Sequence, residues 1–187
     1  MSSTRSNGLT ADYSGKFGNQ YVLRCRNGRS NMSKLPKRTK TTTSEAQDRV
    51  KNNFKAAAAY AKDKLSIPEL REAYLLRGNG LRSAYIMAMA DSFHPPVINN
   101  INADFYRGHA GDVIRIEAVD NFRVEKVMFY LYDEDNQELE FGECVQAGEG
   151  SEWDYTILNE HVPTAGQKIK VVAYDLPGHP GQAILEI

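Results

Sequence analysis

The chain has 187 residues, 41% of them hydrophobic, with two cysteines and a formal net charge of −1. That length buries one sizeable core and leaves material for an appended segment. Its longest apolar runs, Ala56–Ala61 and Tyr85–Ala90, fall well short of the ~20 residues of a membrane-spanning helix, and Cys25 and Cys144, far apart and without CxxC spacing, exclude a disulfide framework and a cysteine-based zinc site.

The small net charge hides a partition along the chain. Residues 1–66 carry 14 Lys/Arg against 4 Asp/Glu, residues 67–96 carry 3 against 3, and residues 97–187 carry 6 against 17. A front of +10 and a back of −11 draw copies of the chain together head to tail. The opening Met-Ser-Ser-Thr-Arg-Ser-Asn-Gly lacks the apolar stretch of a secretory signal. The expectation is a cytoplasmic assembly, or an appendage or virion component exported by a non-classical route.

Residues 1–43 are rich in Ser, Thr, Asn, Gly and basic side chains, too polar to order themselves by burial, and read as an extended arm. Within it, Asn19–Cys25 has strand character and Asn27-Gly28 suits a tight turn, so a β-hairpin over about residues 17–35 is predicted. A lone hairpin is marginal in water and needs a sheet or helix to lie on. The stretch from Lys34 to Thr43 reads as a basic linker broken by Pro36.

Residues 44–96 form a helical segment. Ser44 and Gln47 make a capping-box pattern, and Val50, Phe54, Ala57, Ala58, Ala61 and Leu65 recur on one helical face. Ser66-Ile67-Pro68-Glu69 reads as a second cap opening a short helix to about Arg77, which Gly78-Asn79-Gly80 ends. A third helix is predicted from Leu81 to Ser92, before His94-Pro95-Pro96 breaks the chain. The whole segment is expected to pack as a collar between the arm and the C-terminal half of the chain.

From Val97 the period changes to two. Strands are predicted around 98–103, 113–119, 124–132, 139–145, 153–158, 169–174 and 183–187, separated by Gly-, Asp- and Pro-rich turns. Seven short strands in a stretch of this length read as a β-sandwich over residues 97–187. The fold class is thus mainly β with a helical segment.

Asp112–Phe122, Val124–Tyr132, Trp153-Asp154-Tyr155 and Val171–His179, with their Ala-x-Asp strand ends, resemble the bacterial immunoglobulin-like modules of surface and appendage proteins. His179 stands where those modules usually have Asn. The resemblance covers about residues 97–187 and implies an immunoglobulin-like sandwich, a frame used for adhesion, spacing, filament building and virion decoration alike. The arm, with Ser14–Asn19 and Ser33–Lys37, is similar to the N-terminal segments of uncharacterised bacterial proteins that join such an arm to β-sandwiches.

No residue pattern reads as catalytic. There is no Gly-x-Ser-x-Gly elbow, Gly78-Asn79-Gly80 lacks the spacing of a phosphate-binding loop, and histidines 94, 109, 161 and 179 have no zinc spacing. No cofactor is expected. Asp120, Asp133, Asp135 and Asp175 fall at predicted strand ends and are weak calcium candidates, against the commoner role of Asp in capping turns. Trp153 with Tyr130, Tyr132, Tyr155 and Tyr174 reads either as a carbohydrate-stacking platform or, more commonly, as core.

The leading expectation is a structural subunit that assembles with copies of itself, its arm adding a strand to the sandwich of a neighbour. The residues expected to carry that contact are Phe17, Tyr21, Val22, Leu23, Arg24, Arg26, Arg29, Lys34, Lys37 and Arg38. Two alternatives stand beside it. One is a monomeric adhesion or ligand-binding module with a surface ligand. The other is nucleic-acid binding through the basic arm, which the acidic remainder of the chain opposes.

Overall fold

The computed structural model describes residues 14–26, 29–36, 43–80, 82–148 and 150–187, and of Arg26 and Arg29 the backbone alone. The chain is mainly β, with eleven strands in three antiparallel sheets and three helices among these residues. It divides into two compact units, residues 1–44 and residues 45–187.

The first unit is a three-stranded sheet in the order β1 (Gly15–Phe17), β2 (Tyr21–Arg26), β3 (Arg29–Lys34). The predicted hairpin is present as β2 and β3, with Tyr21 opposite Lys34 and Arg26 opposite Arg29. Its Asn27-Gly28 turn lies outside the described residues. Sequence reasoning missed β1, which is only three residues long; Gly18 at φ 59° turns it back so that Phe17 faces Tyr21. The linker residues 37–42 also lie outside the described residues.

The second unit begins with α1 (Glu45–Lys64), α2 (Pro68–Arg77) and α3 (Ala84–Asp91). Ala57, Ala61, Tyr74, Met87 and Ala88 form their shared core. The predicted apolar face of α1 is buried only in its second half, where small Ala57 and Ala61 allow close approach. Val50 is 68% exposed and Phe54 57% exposed. The cause is length: twenty residues make a helix of ~30 Å, against ~12 Å for the eight of α3, so the first turns of α1 overhang their support.

The capping of α2 also differs from expectation. Ser66 Oγ donates to the carbonyl of Asp63 at 2.6 Å and closes α1 instead, so Ile67 occupies the N-cap and Pro68 starts the helix without a side-chain cap. Ser83, by contrast, caps α3, its Oγ accepting from Ile86 N at 3.4 Å. No helix among the described residues is long and apolar enough to cross a membrane.

Eight strands complete the unit: β4 (Val97–Asn102), β5 (Val113–Val119), β6 (Val124–Tyr132), β7 (Glu138–Glu143), β8 (Val145–Gln146), β9 (Glu152–Thr156), β10 (Lys168–Asp175) and β11 (Pro180–Glu186). They form two sheets, in the orders β4-β5-β9-β8 and β11-β10-β6-β7. Alternate residues of both meet in one core, with Ile114, Ile116 and Trp153 from one sheet and Phe129, Leu131, Ile169 and Val171 from the other. The segment predicted as one strand over 139–145 is two. Cys144, buried and bonded through its N–H to Val127 O at 2.8 Å, is the point where the chain leaves one sheet and Val145 joins the other. That crossing gives eight strands where the pattern predicted seven.

The helices seat on the end of the two sheets. Phe122 stacks on Tyr74 with ring centroids 3.9 Å apart, and Leu176 packs on the same helical core.

Candidate assembly surfaces

In the arm, Leu23 is buried, Tyr21 and Val22 are half-buried, and Phe17, Arg24 and Lys34 are exposed. Arg26 and Arg29 pair across the end of the hairpin, while Lys37 and Arg38 lie outside the described residues. Strand β3 ends the sheet and its residues Ser30–Lys34 are exposed, with Met32 at 58%. The 44 residues of this unit contain nine Lys/Arg and one Asp/Glu, and the remainder of the chain contains 14 against 23.

The two larger sheets have four terminal strands with different accessibility. Strands β4 and β11 lie side by side and touch at one end, where a Cβ added at Gly181 would lie 1.8 Å from Pro96 O, while farther along an open groove between them is lined by Ile98, Ile101, Ala183 and Leu185. Strand β8 has two residues. Strand β7 has six, carries Glu138 and Glu143 at its ends, and presents Leu139 and Phe141 to solvent, Phe141 being 59% exposed. Phe141 continues a row with Tyr130 and Tyr132 on the outer face, at centroid separations of 6.3 and 6.4 Å along the row. The predicted aromatic set therefore divides: Trp153 and Tyr155 are core, Tyr155 stacking on Phe129 at 4.1 Å, and Tyr130 and Tyr132 face outward.

The inward side of β7 holds a feature that sequence reasoning missed. Glu140 is buried and accepts from Tyr155 OH at 2.8 Å, Leu158 N at 2.8 Å, Asn159 N at 3.1 Å, Asn159 Nδ2 at 3.2 Å and His161 Nε2 at 2.8 Å. Burial alone pushes its carboxyl up. The bonds from Leu158, His161, Tyr155 and Asn159 outweigh that and hold it down at about 2. The arrangement bolts the 157–161 segment to β7. Gly142, two residues on, makes room for it, because a Cβ there would sit 2.7 Å from Tyr155 Cε2.

The calcium candidates serve their own turns. Asp120 Oδ2 accepts from Phe122 N at 2.8 Å and Arg123 N at 3.0 Å, Asp133 Oδ1 from Gln137 N at 2.7 Å, and Asp175 Oδ1 from His179 N at 2.5 Å. Asp135 is exposed in its turn. No group of three His, Cys, Asp or Glu among the described residues is spaced to hold a metal ion.

Asp120 and Asp175 do converge electrostatically on a carboxylate that sequence reasoning did not single out. Asp91, fully buried at the end of α3, accepts on Oδ2 from Tyr74 OH at 2.6 Å and Tyr60 OH at 3.0 Å, tying the three helices together. Burial pushes Asp91 up, the two tyrosine bonds pull it down, and the charges of Asp120 and Asp175 raise it again, to about 6. Burial likewise pushes the Cys144 thiol up to about 12, which marks it as an inert core residue, and both cysteines are free.

No protein-family model matches the chain, and no curated protein matches it.

Proposed function

We propose that the chain is a structural subunit that assembles head to tail, its basic arm adding to a sheet edge of the next copy. The carrying observation is the joining of a compact, strand-forming unit with nine Lys/Arg and one Asp/Glu to an acidic unit whose strand β7 ends its sheet among the described residues. Backbone hydrogen bonds supply affinity in such a strand addition, and opposed charges steer the encounter and fix the polarity. The contact joins different surfaces of the two copies, so it propagates to a filament or tube, or closes as a ring, depending on the rotation between subunits.

The acidic unit is read as an immunoglobulin-like sandwich. In support, its sheet orders β4-β5-β9-β8 and β11-β10-β6-β7 follow the A-B-E-D and G-F-C orders of that architecture, with β7 as an added edge strand beside C. Such a frame exposes strand edges and suits an appendage, tube or virion-like assembly.

Deleting residues 1–40 tests the function. The truncated chain is expected to remain folded, by circular dichroism, and to stay monomeric where the full chain forms particles. Particles of unchanged mass from the truncated chain would refute the arm's role.

A further inference from the structure

We infer that the acceptor for the arm is the free edge of β7, and that the donor is β3 of a second copy. The inference rests on the proposed assembly and names its site.

Length and accessibility select the edge. A strand-addition site needs a run of backbone that no neighbouring strand covers. Among the four terminal strands, β4 and β11 lie side by side and touch at Pro96 and Gly181, and β8 offers two residues. Among the described residues, strand β7 is the six-residue strand that ends its sheet, and β3 ends the arm sheet, with Asn31–Lys34 exposed.

Charge then selects the pairing. Strand β7 has Glu138 at its first position and Glu143 at its last; β3 has Arg29 first and Lys34 last. Laid parallel, six residues on six put Lys34 beside Glu143, Arg29 at the register position of Glu138 and Met32 opposite Phe141 on the outer face. The same charges set β7 against another β7, and β3 against another β3, acid on acid and base on base, which disfavours symmetric pairing. The edges therefore select a contact between unlike surfaces. Between the charged ends, exposed Phe141 and Leu139 on β7 and exposed Met32 on β3 supply apolar surface to cover.

The test uses full-length chains carrying Cys25→Ser, so that buried Cys144 is the sole native thiol. One chain carries Met32→Cys; its partner carries Phe141→Cys on β7 or, as the comparison, Ile184→Cys on β11, a residue exposed to the same extent. The chains are mixed and treated with a short bis-maleimide. The expected result is a covalent dimer formed severalfold more with Phe141→Cys than with Ile184→Cys. In parallel, E138K/E143K is expected to lose particles that E117K/E152K, on the other sheet, retains. If particles form but cross-link equally at Ile184, or survive E138K/E143K, the β7 assignment is overturned and the assembly reading stands. If the wild-type chain forms no particles under any condition, the assembly reading fails and carries this inference with it.

Discussion

Replacing Glu140 removes the carboxylate on which five hydrogen bonds converge, and the cost can be worked from its surroundings. The carboxyl falls from its ordinary 4.5 to about 2 in the folded chain, a shift equivalent to roughly 3 kcal/mol of stabilisation by the ionised form. Glu140→Gln forfeits most of that while keeping an acceptor. Glu140→Ala also strands the buried Tyr155 hydroxyl, adding ~1–3 kcal/mol, so the total is roughly 4–6 kcal/mol. For a unit of this size that lowers Tm by about 10–20 °C. Because the folded carboxyl is depressed, its contribution is present above the unfolded value and is lost as pH falls through about 2. Thermal and urea denaturation of wild type, E140Q and E140A, followed by circular dichroism from about pH 7 to about pH 2, measures both effects. The wild-type advantage over E140Q is expected to shrink steadily below pH 4.5. An E140A protein melting within ~3 °C of wild type at about pH 7, or a gap to E140Q that is constant with pH, would refute the bolt.

Asp91 has the opposite sign. Its folded carboxyl is raised from 3.8 to about 6, so the stability it contributes is fully present below the lower value and is lost as pH rises through the upper one, an effect of ~3 kcal/mol. Asp91→Asn, which keeps an acceptor for Tyr60 and Tyr74, is expected to show no such loss in urea titrations across that range; parallel profiles for the two proteins would contradict the placement of Asp91. Gly142→Ala presses on a Tyr155 ring that is itself stacked on Phe129 and is expected to cost ~1–3 kcal/mol by overpacking, read as a lower urea midpoint. In thiol titration at about pH 8 the folded chain is expected to react once, at Cys25, and twice after unfolding, because Cys144 is buried with its thiol pushed up to about 12; two fast thiols in the folded chain would contradict that burial.

The larger units were legible because their periodicity was strong. Val113–Val119 alternates apolar and polar residues across a buried sheet face and Pro68 marks the start of α2 by chemistry that acts locally, whereas α3 starts at Ala84, behind a Ser83 cap, rather than at the predicted Leu81. Of the proposed assembly surface, one half was legible: the arm's basic, strand-forming residues stand out in the chain. The receiving edge does not, because which strand ends a sheet is decided by tertiary pairing. Strand β7 shows a second limit. Simple alternation in Glu138–Glu143 would turn Leu139 and Phe141 inward, yet Glu140 and Gly142 face the core. Five donors from residues 155–161 compensate the buried charge, and nothing within β7 itself announces them. Asp91 was hidden for the same reason, its two tyrosine partners lying 31 and 17 residues earlier.

The measurement that bears most directly on the account is the mass distribution of the purified full-length chain by light scattering at low and moderate salt, with negative-stain images of the same samples. Head-to-tail assembly predicts particles or filaments of many subunits, more abundant at low salt, where opposed charges are least screened. A single species at the monomer mass of 21.0 kDa at every concentration and salt would contradict it.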